Sequence, residues 1–97
     1  MIASFADKAT EDIFNGVNST AARRRLPKGL WKVAFRKLDQ VDSAAVLNDL
    51  RVPPGNMLEA LKAERVGQHS IRINDQYRIC FEWTPNGAEQ VEIVDYH

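Results

Sequence analysis

Asp95-Tyr96-His97 puts a carboxylate, a phenol and an imidazole in consecutive positions behind the β-patterned run Val91-Glu92-Ile93-Val94. Groups of these types move protons or stabilise charge beside a phosphate. A strand ending here would hold all three at the rim of a sheet, within reach of one ligand. Cations make the second feature. Arg23, Arg24, Arg25, Lys28, Lys32, Arg36 and Lys37 follow one another with no acid between them. A third pair, Arg72 and Arg78, flanks a short polar segment, Asn74-Asp75-Gln76.

What these groups can do depends on the elements that carry them. A helix starts near Pro27 or Lys28 and runs to about Asp42. At 100° per residue, Leu30, Trp31, Ala34, Phe35, Leu38 and Val41 share one broad face. Lys28, Lys32 and Arg36 recur every fourth residue on the other. That back, together with Arg23, Arg24 and Arg25, is either a solvated surface or a phosphate-contacting one. Ahead of it, residues 2–5 read as a short strand. Residues 7–14 read as a helix with Asp7 as its N-cap and Gly16 as its stop, and residues 18–20 as a loop. Pro53, Pro54 and Gly55 break the chain. Residues 57–61 are too short to assign. Strands follow over 70–73, 77–83 and 89–94, with turns at 74–76 and 84–88. Helices first and an antiparallel meander afterwards make an α+β layout, an N-terminal helix pair packed on a small antiparallel sheet.

A one-residue slip inverts every side chain of a strand, so the apolar pattern sets the register. It predicts Ile73 facing Tyr77, Ile71 facing Ile79, Ile79 facing Ile93 and Phe81 facing Val91, all on the face the long helix covers. The other face then receives Arg72 directly across from Arg78, with Val94 and Tyr96 beside them. Opposed guanidiniums repel unless an anion lies between them. Glu82 or Glu92 could supply it, or a bound phosphate, which guanidiniums grip in bidentate fashion.

Composition sets the outer bounds. A chain of 97 residues, 44% hydrophobic and 27% charged, is one ordinary globular domain with one modest core. The first residues lack the basic flank and apolar run of a signal peptide, and no stretch approaches membrane-spanning length, so a cytoplasmic protein is expected. The single cysteine, Cys80, excludes an internal disulfide and a cysteine zinc cage, and two histidines make no convincing metal site. Cys80 is expected to behave as a small buried hydrophobe. His69 is expected to be a structural histidine, exposed or hydrogen-bonded. Thirteen basic residues balance thirteen acidic ones, which argues against capture of naked nucleic acid by bulk charge. Any polyanion contact must be local.

The block Pro53-Pro54-Gly55-Asn56-Met57-Leu58-Glu59-Ala60-Leu61-Lys62-Ala63-Glu64-Arg65, then Gly67-Gln68-His69-Ser70-Ile71-Arg72-Ile73-Asn74-Asp75-Gln76-Tyr77-Arg78-Ile79, then Val94-Asp95-Tyr96-His97, resembles the HigB-type toxins of the RelE/ParE superfamily. The resemblance covers nearly the whole chain and is strongest from Pro53 onward. It implies a RelE/ParE-like fold and a metal-free, cofactor-free mRNA endonuclease that works in the ribosomal decoding site by attack of a ribose 2′-hydroxyl on the adjacent phosphate. It assigns Lys62 and Arg78 to charge stabilisation, Tyr96 to stacking or proton transfer, and Asp95 and His97 to an acid–base pair. Arg72 joins them from the register argument. Some members have a histidine where Glu59 stands, so Glu59 is expected either to act as a base or to pair with Lys62 or Arg65.

The implied partners are a HigA-like antitoxin with a helix-turn-helix domain, and the ribosome with its mRNA. Neither a membrane nor a small-molecule cofactor is implied. Two rivals share the fold. One is a non-catalytic gyrase poison of the ParE kind, which has no need of the proton-transfer groups. The other is a module that binds RNA or the ribosome without cutting, a reading that Glu59 and the zero net charge keep open.

Overall fold

Asp7 starts the first helix, α1 (Lys8–Asn15), by accepting the backbone N–H of Thr10 on its carboxylate at 2.7 Å. Gly16 ends it at φ 74, a left-handed cap that glycine adopts without steric cost. Both ends fall where the sequence places them. The computed structural model describes residues 1–96, so the expectations that concern His97 lie outside the described residues.

The loop expected over 18–20 holds for Asn18 and Ser19, but Thr20 opens a short helix that the sequence did not announce, α2 (Thr20–Arg25). Ser19 caps it by accepting the Ala22 N–H at 3.0 Å, and Ala22 and Leu26 bury fully beneath it. After a 3-10 turn over Lys28–Leu30 comes α3 (Trp31–Ser43), the long amphipathic helix the periodicity predicts. Ala34, Leu38 and Val41 are fully buried. Phe35 departs from expectation. It lies at the edge of the apolar stripe, 47% exposed, and its ring stacks on Phe14 at 5.9 Å. The helical layer thus has three members, with α2 bridging the expected pair.

Between α3 and the sheet, two 3-10 turns, Leu47–Arg51 and Pro54–Asn56, form a folded connection. Asn56, fully buried, organises it. Its amide nitrogen donates to Gln40 Oε1 at 2.9 Å and to the Leu50 carbonyl at 3.2 Å, while its oxygen accepts from Lys37 Nζ at 2.5 Å.

The sheet contains β1 (Glu59–Ala60), β2 (Gln68–Arg72), β3 (Tyr77–Thr84) and β4 (Gly87–Asp95), antiparallel and ordered β1-β2-β3-β4. The unassigned residues 57–61 therefore hold the outer strand. Ile71 pairs with Ile79, Arg72 with Arg78 and Ile79 with Ile93, as the pattern requires. The register shifts by one between Cys80 and Glu82, where Gln90 (φ 54) is the extra residue of a bulge. Phe81 and Val91 both stay buried across it. The expected five-residue loop at 84–88 shrinks, because Thr84 already pairs with Gly87. Gly87 has φ 113, and a Cβ there would lie 2.2 Å from the Met1 carbonyl oxygen. Only glycine fits.

That close approach exists because the first residues lie parallel to the outer edge of β4. Ala3 N–H donates to the Ala88 carbonyl at 2.7 Å and Ala6 N–H to the Val91 carbonyl at 2.9 Å. Thr10 Oγ1 takes the Ile93 N–H and Arg25 donates to the Ile93 carbonyl. The expected N-terminal strand is thus an edge strap with isolated bridges at Ile2–Ala88 and Phe5–Val91. It closes an edge that would otherwise invite pairing. Helices and strap cover one sheet face, leaving Ile71, Ile79, Phe81, Val91 and Ile93 fully buried. No described helix is long and apolar enough to cross a membrane.

Candidate active site

Strand alternation sends Ser70 and Arg72 of β2, Arg78 and Cys80 of β3, and Glu92 and Val94 of β4 to the face away from the helices. Tyr96 follows β4 with the same parity. The centre of this face is Arg78. Its side chain is only 11% exposed. Its Nε donates to Ser70 Oγ at 2.8 Å, and its Nη2 donates to the Met57 carbonyl at 2.7 Å and reaches the Ser70 carbonyl at 3.4 Å. Met57 presents that carbonyl from a left-handed conformation, φ 47, which an unbranched side chain tolerates only at some cost. The guanidinium carbon lies 5.7 Å from the centroid of the Tyr96 ring.

Arg72 and Arg78 stand opposite each other as the register predicts, but neither Glu82 nor Glu92 relieves their repulsion. Arg72 pairs with Asp75 in its own turn. Arg78 lies 3.8 Å from Glu59 on β1. Glu92 instead pairs with Arg65 at 3.3 Å, and Arg65 also donates to Gln68 at 3.0 Å. Glu59 therefore pairs with neither Lys62 nor Arg65, the two partners the sequence suggests. The sequence could not show this, because the acceptor Glu59 sits on β1 and the donor Arg65 on a 3-10 turn, Ala63–Arg65, neither of which has a strand signature.

Tyr96, 45% exposed, is anchored by its own backbone N–H, which donates to the Gln76 carbonyl at 2.7 Å. With Arg65, Val94 and Asp95 it lines a shallow depression of about 310 Å³. Asp95 does not share the Arg78 side as fully as the consecutive residue numbers suggest. Alternation turns it the other way, Gln76 Nε2 donates to its Oδ2 at 3.0 Å, and it also borders a groove with Arg24, Arg25, Tyr77 and Ile93. Lys62 is exposed just beyond β1 and makes no salt bridge among the described residues.

The basic run splits by role. Arg23 donates to the Asn18 carbonyl and side chain and to Thr20, bracing its own helix start. Arg25 is a strut, bonded to Asp7 at 2.6 Å and to the Ile93 carbonyl at 2.8 Å. Lys37 serves Asn56, and burial, helped by the neighbouring Arg36 charge, holds its ammonium below the usual lysine range. Arg24, Lys28, Lys32 and Arg36 are exposed on the helical layer, away from Arg78.

Cys80 is fully buried under the surrounding polar side chains, and burial pushes its thiol up, with the Arg65 guanidinium opposing. It is the small buried residue expected. His69 is neither exposed nor hydrogen-bonded through Nδ1, which is buried without a partner; the ring stacks on Phe81 at 6.5 Å. Among the described residues no group of three or more His, Cys, Asp or Glu side chains could hold a metal ion. The residues that sequence reasoning missed are Ser70 and Met57, whose contribution is a hydroxyl and a carbonyl with no motif of their own.

A largely buried arginine side chain with one edge held and a half-exposed phenol over it can stabilise a phosphate and handle its protons. A family model described as the RelE-like toxin of the type II toxin–antitoxin system HigB matches residues 3–97. Toxin HigB-1 of Vibrio cholerae serotype O1 is 39% identical over 88 residues, which cover 91% of this chain and 90% of that protein. An uncharacterized protein of Haemophilus influenzae is 42% identical over 62 residues, 64% of this chain and 61% of that protein. In three dimensions the chain is similar to one in the YoeB–YefM complex from Staphylococcus aureus, with a TM-score of 0.60 and 18% identity over 100% of this chain and 95% of that one.

Proposed function

Since the chain belongs to the HigB-like toxins, RelE-like toxins of type II toxin–antitoxin systems, we propose that it is a ribosome-dependent mRNA endonuclease (an mRNA interferase) that arrests translation and growth. The arrangement of Arg78 carries this reading. An arginine side chain only 11% exposed is clamped along one edge by Ser70 and Met57 on the open sheet face and lies over the ring of Tyr96. A surface ion pair would need no such support.

In this mechanism the ribose 2′-oxygen attacks the adjacent phosphorus. The new O2′–P bond forms as the P–O5′ bond breaks, giving a 2′,3′-cyclic phosphate and a 5′-hydroxyl. A base takes the 2′-hydroxyl proton and an acid delivers one to O5′. Arg78, with Arg72 paired across from it and Lys62 just beyond β1, stabilises the charge that gathers on the phosphorane oxygens. Tyr96 and His97 perform the proton transfers, and Asp95 balances the imidazolium. Neither a metal nor a small-molecule cofactor enters this route. Arg24, Lys28, Lys32 and Arg36 contact ribosomal RNA phosphates while mRNA occupies the decoding site; Arg23 and Arg25 support the helix that carries Arg24. The protein acts in the cytoplasm, and a HigA-like helix-turn-helix antitoxin holds it inactive.

End chemistry tests this reading. Ribosomes programmed with a defined mRNA and treated with the purified protein should yield codon-internal cuts with 5′-hydroxyl and 2′,3′-cyclic phosphate ends. Ends carrying a 5′-phosphate would mean water attack and contradict the mechanism. Growth arrest without any cut would point to a poison that does not cleave.

A further inference from the structure

We infer that Ser70 is a positioning residue for the proposed reaction: its buried hydroxyl fixes the guanidinium of Arg78 so that one edge stays available to a phosphate. The inference rests on the endonuclease reading for its catalytic consequence, but its structural part stands on geometry alone.

Ser70 lies in the middle of β2, between β1 and β3, and is fully buried. A hydroxyl sealed in a sheet costs free energy unless it is hydrogen-bonded, and alanine would fill the same space without that cost. The one side-chain bond that Ser70 Oγ makes among the described residues is the one it accepts from Arg78 Nε at 2.8 Å. The hydroxyl's reason for being there is therefore Arg78. The Ser70 carbonyl, the Met57 carbonyl and the Glu59 carboxylate gather on Nη2 of the same guanidinium.

Five N–H donors in a rigid fork can be held along one edge and still present the other. Here Nε and Nη2 are engaged, and Nη1 has no partner among the described residues. A planar cation held this way loses little further freedom when a phosphate arrives, which lowers the barrier where charge develops. Without Ser70 Oγ the guanidinium would keep its charge and its Nη2 contacts and lose the bond that fixes its Nε, so that it could pivot about Nη2. The defect should therefore appear in the rate of the chemical step more than in ribosome affinity.

Two readouts separate this inference from the endonuclease reading. The first is the Arg78 Nε–H signal in a nitrogen-15 NMR spectrum of the full chain, which ignores activity. Ser70→Ala should speed exchange of that proton with solvent at least about tenfold, the scale of one missing hydrogen bond to a charged group. Unchanged exchange would overturn the inference. The second is single-turnover cleavage of a defined mRNA on programmed ribosomes. Ser70→Ala should slow it about ten- to hundredfold at little change in the half-saturating ribosome concentration. Ser70→Thr, which keeps the oxygen, should recover most of the rate. Ser70→Cys, close in size but a weak acceptor, should behave like alanine and substitutes for it should the alanine chain fail to fold.

A lower melting temperature with an unchanged cleavage rate per folded molecule would show a merely structural serine and overturn the proposal. If the wild-type protein cuts nothing while Ser70→Ala still speeds the exchange, the endonuclease reading falls and the placement of Arg78 by Ser70 survives.

Discussion

Arg78 lies over the ring of Tyr96, with the guanidinium carbon 5.7 Å from the ring centroid, although they arrive from different strands and neither is held by the other alone. Arg78 is fixed from β2 and from the turn at Met57, and Tyr96 is fixed by the Gln76 carbonyl. The ring and the phenol can therefore be separated by mutation. Tyr96→Phe keeps the ring over the cation and removes the hydroxyl, while Tyr96→Ala removes both. If the phenol transfers a proton, Tyr96→Phe should cut the single-turnover cleavage rate by about 10²-fold or more. Ribosome affinity should stay within a few-fold. A Tyr96→Phe protein as fast as wild type would assign the residue to stacking alone.

The exposed cations of the helical layer should act differently. Replacing Lys28, Lys32 and Arg36 with alanine should weaken ribosome binding and flatten its salt dependence by a slope of about 1 for each phosphate no longer neutralised. The rate at saturating ribosome should hardly change, because none of the three lies near Arg78. A titration at several salt concentrations reads both quantities. An unchanged slope would return these residues to the solvated surface of an ordinary amphipathic helix.

Asn56 ties the connection between α3 and β1 to the core, and through it fixes Met57 and Glu59 beside Arg78. Asn56→Leu would leave the Leu50 carbonyl, the Gln40 side chain and the Lys37 ammonium short of partners. Leaving a buried group unpaired costs about 1–3 kcal/mol, and the Leu50 carbonyl is the fully buried one of the three, so denaturant unfolding should show a loss of at least about 1–3 kcal/mol. A loss under about 0.5 kcal/mol, the range of ordinary surface changes, would contradict the role given to Asn56.

Acid should weaken the protein at α1 and α2. The Ser19 hydroxyl donates to Asp12 Oδ2 at 2.6 Å, and this bond, with the Lys8 ammonium, holds the Asp12 carboxyl below the usual carboxylate range. A depressed folded-state pKa contributes stability that is complete above the unfolded carboxylate value of about 4 and is lost as pH falls through the folded one. Ser19→Ala also removes the N-cap of α2, which costs on the order of 1 kcal/mol at any pH. The melting-temperature gap between wild type and Ser19→Ala should therefore be widest at neutral pH and shrink, without vanishing, towards pH 3. A gap independent of pH would remove Asp12 from the account.

Elements with strong periodicity were legible in the sequence. Alternation set the β2–β3 register and so placed Arg72 across from Arg78, and the Asp7 and Gly16 caps bounded α1. Short elements were not. α2 spans six residues and β1 two, lengths at which packing and hydrogen bonding outweigh local preference. Of the partners of Arg78, Glu59 sits on β1, Met57 at the end of a 3-10 turn, and Ser70 in β2 with no motif of its own, so the sequence named the cation and missed what holds it. The terminal tripeptide shows the converse limit. Its residue types stand out in sequence, yet alternation sends Asp95 and Tyr96 to opposite sides of the strand.

The most direct test of the central claim is 5′-end mapping of cellular mRNA after a short pulse of this protein, beside a Tyr96→Ala/His97→Ala variant. New ends within translated codons for the wild type, absent from the variant, are predicted. Growth arrest with no new ends, or the same ends from both proteins, would contradict cleavage by the terminal residues.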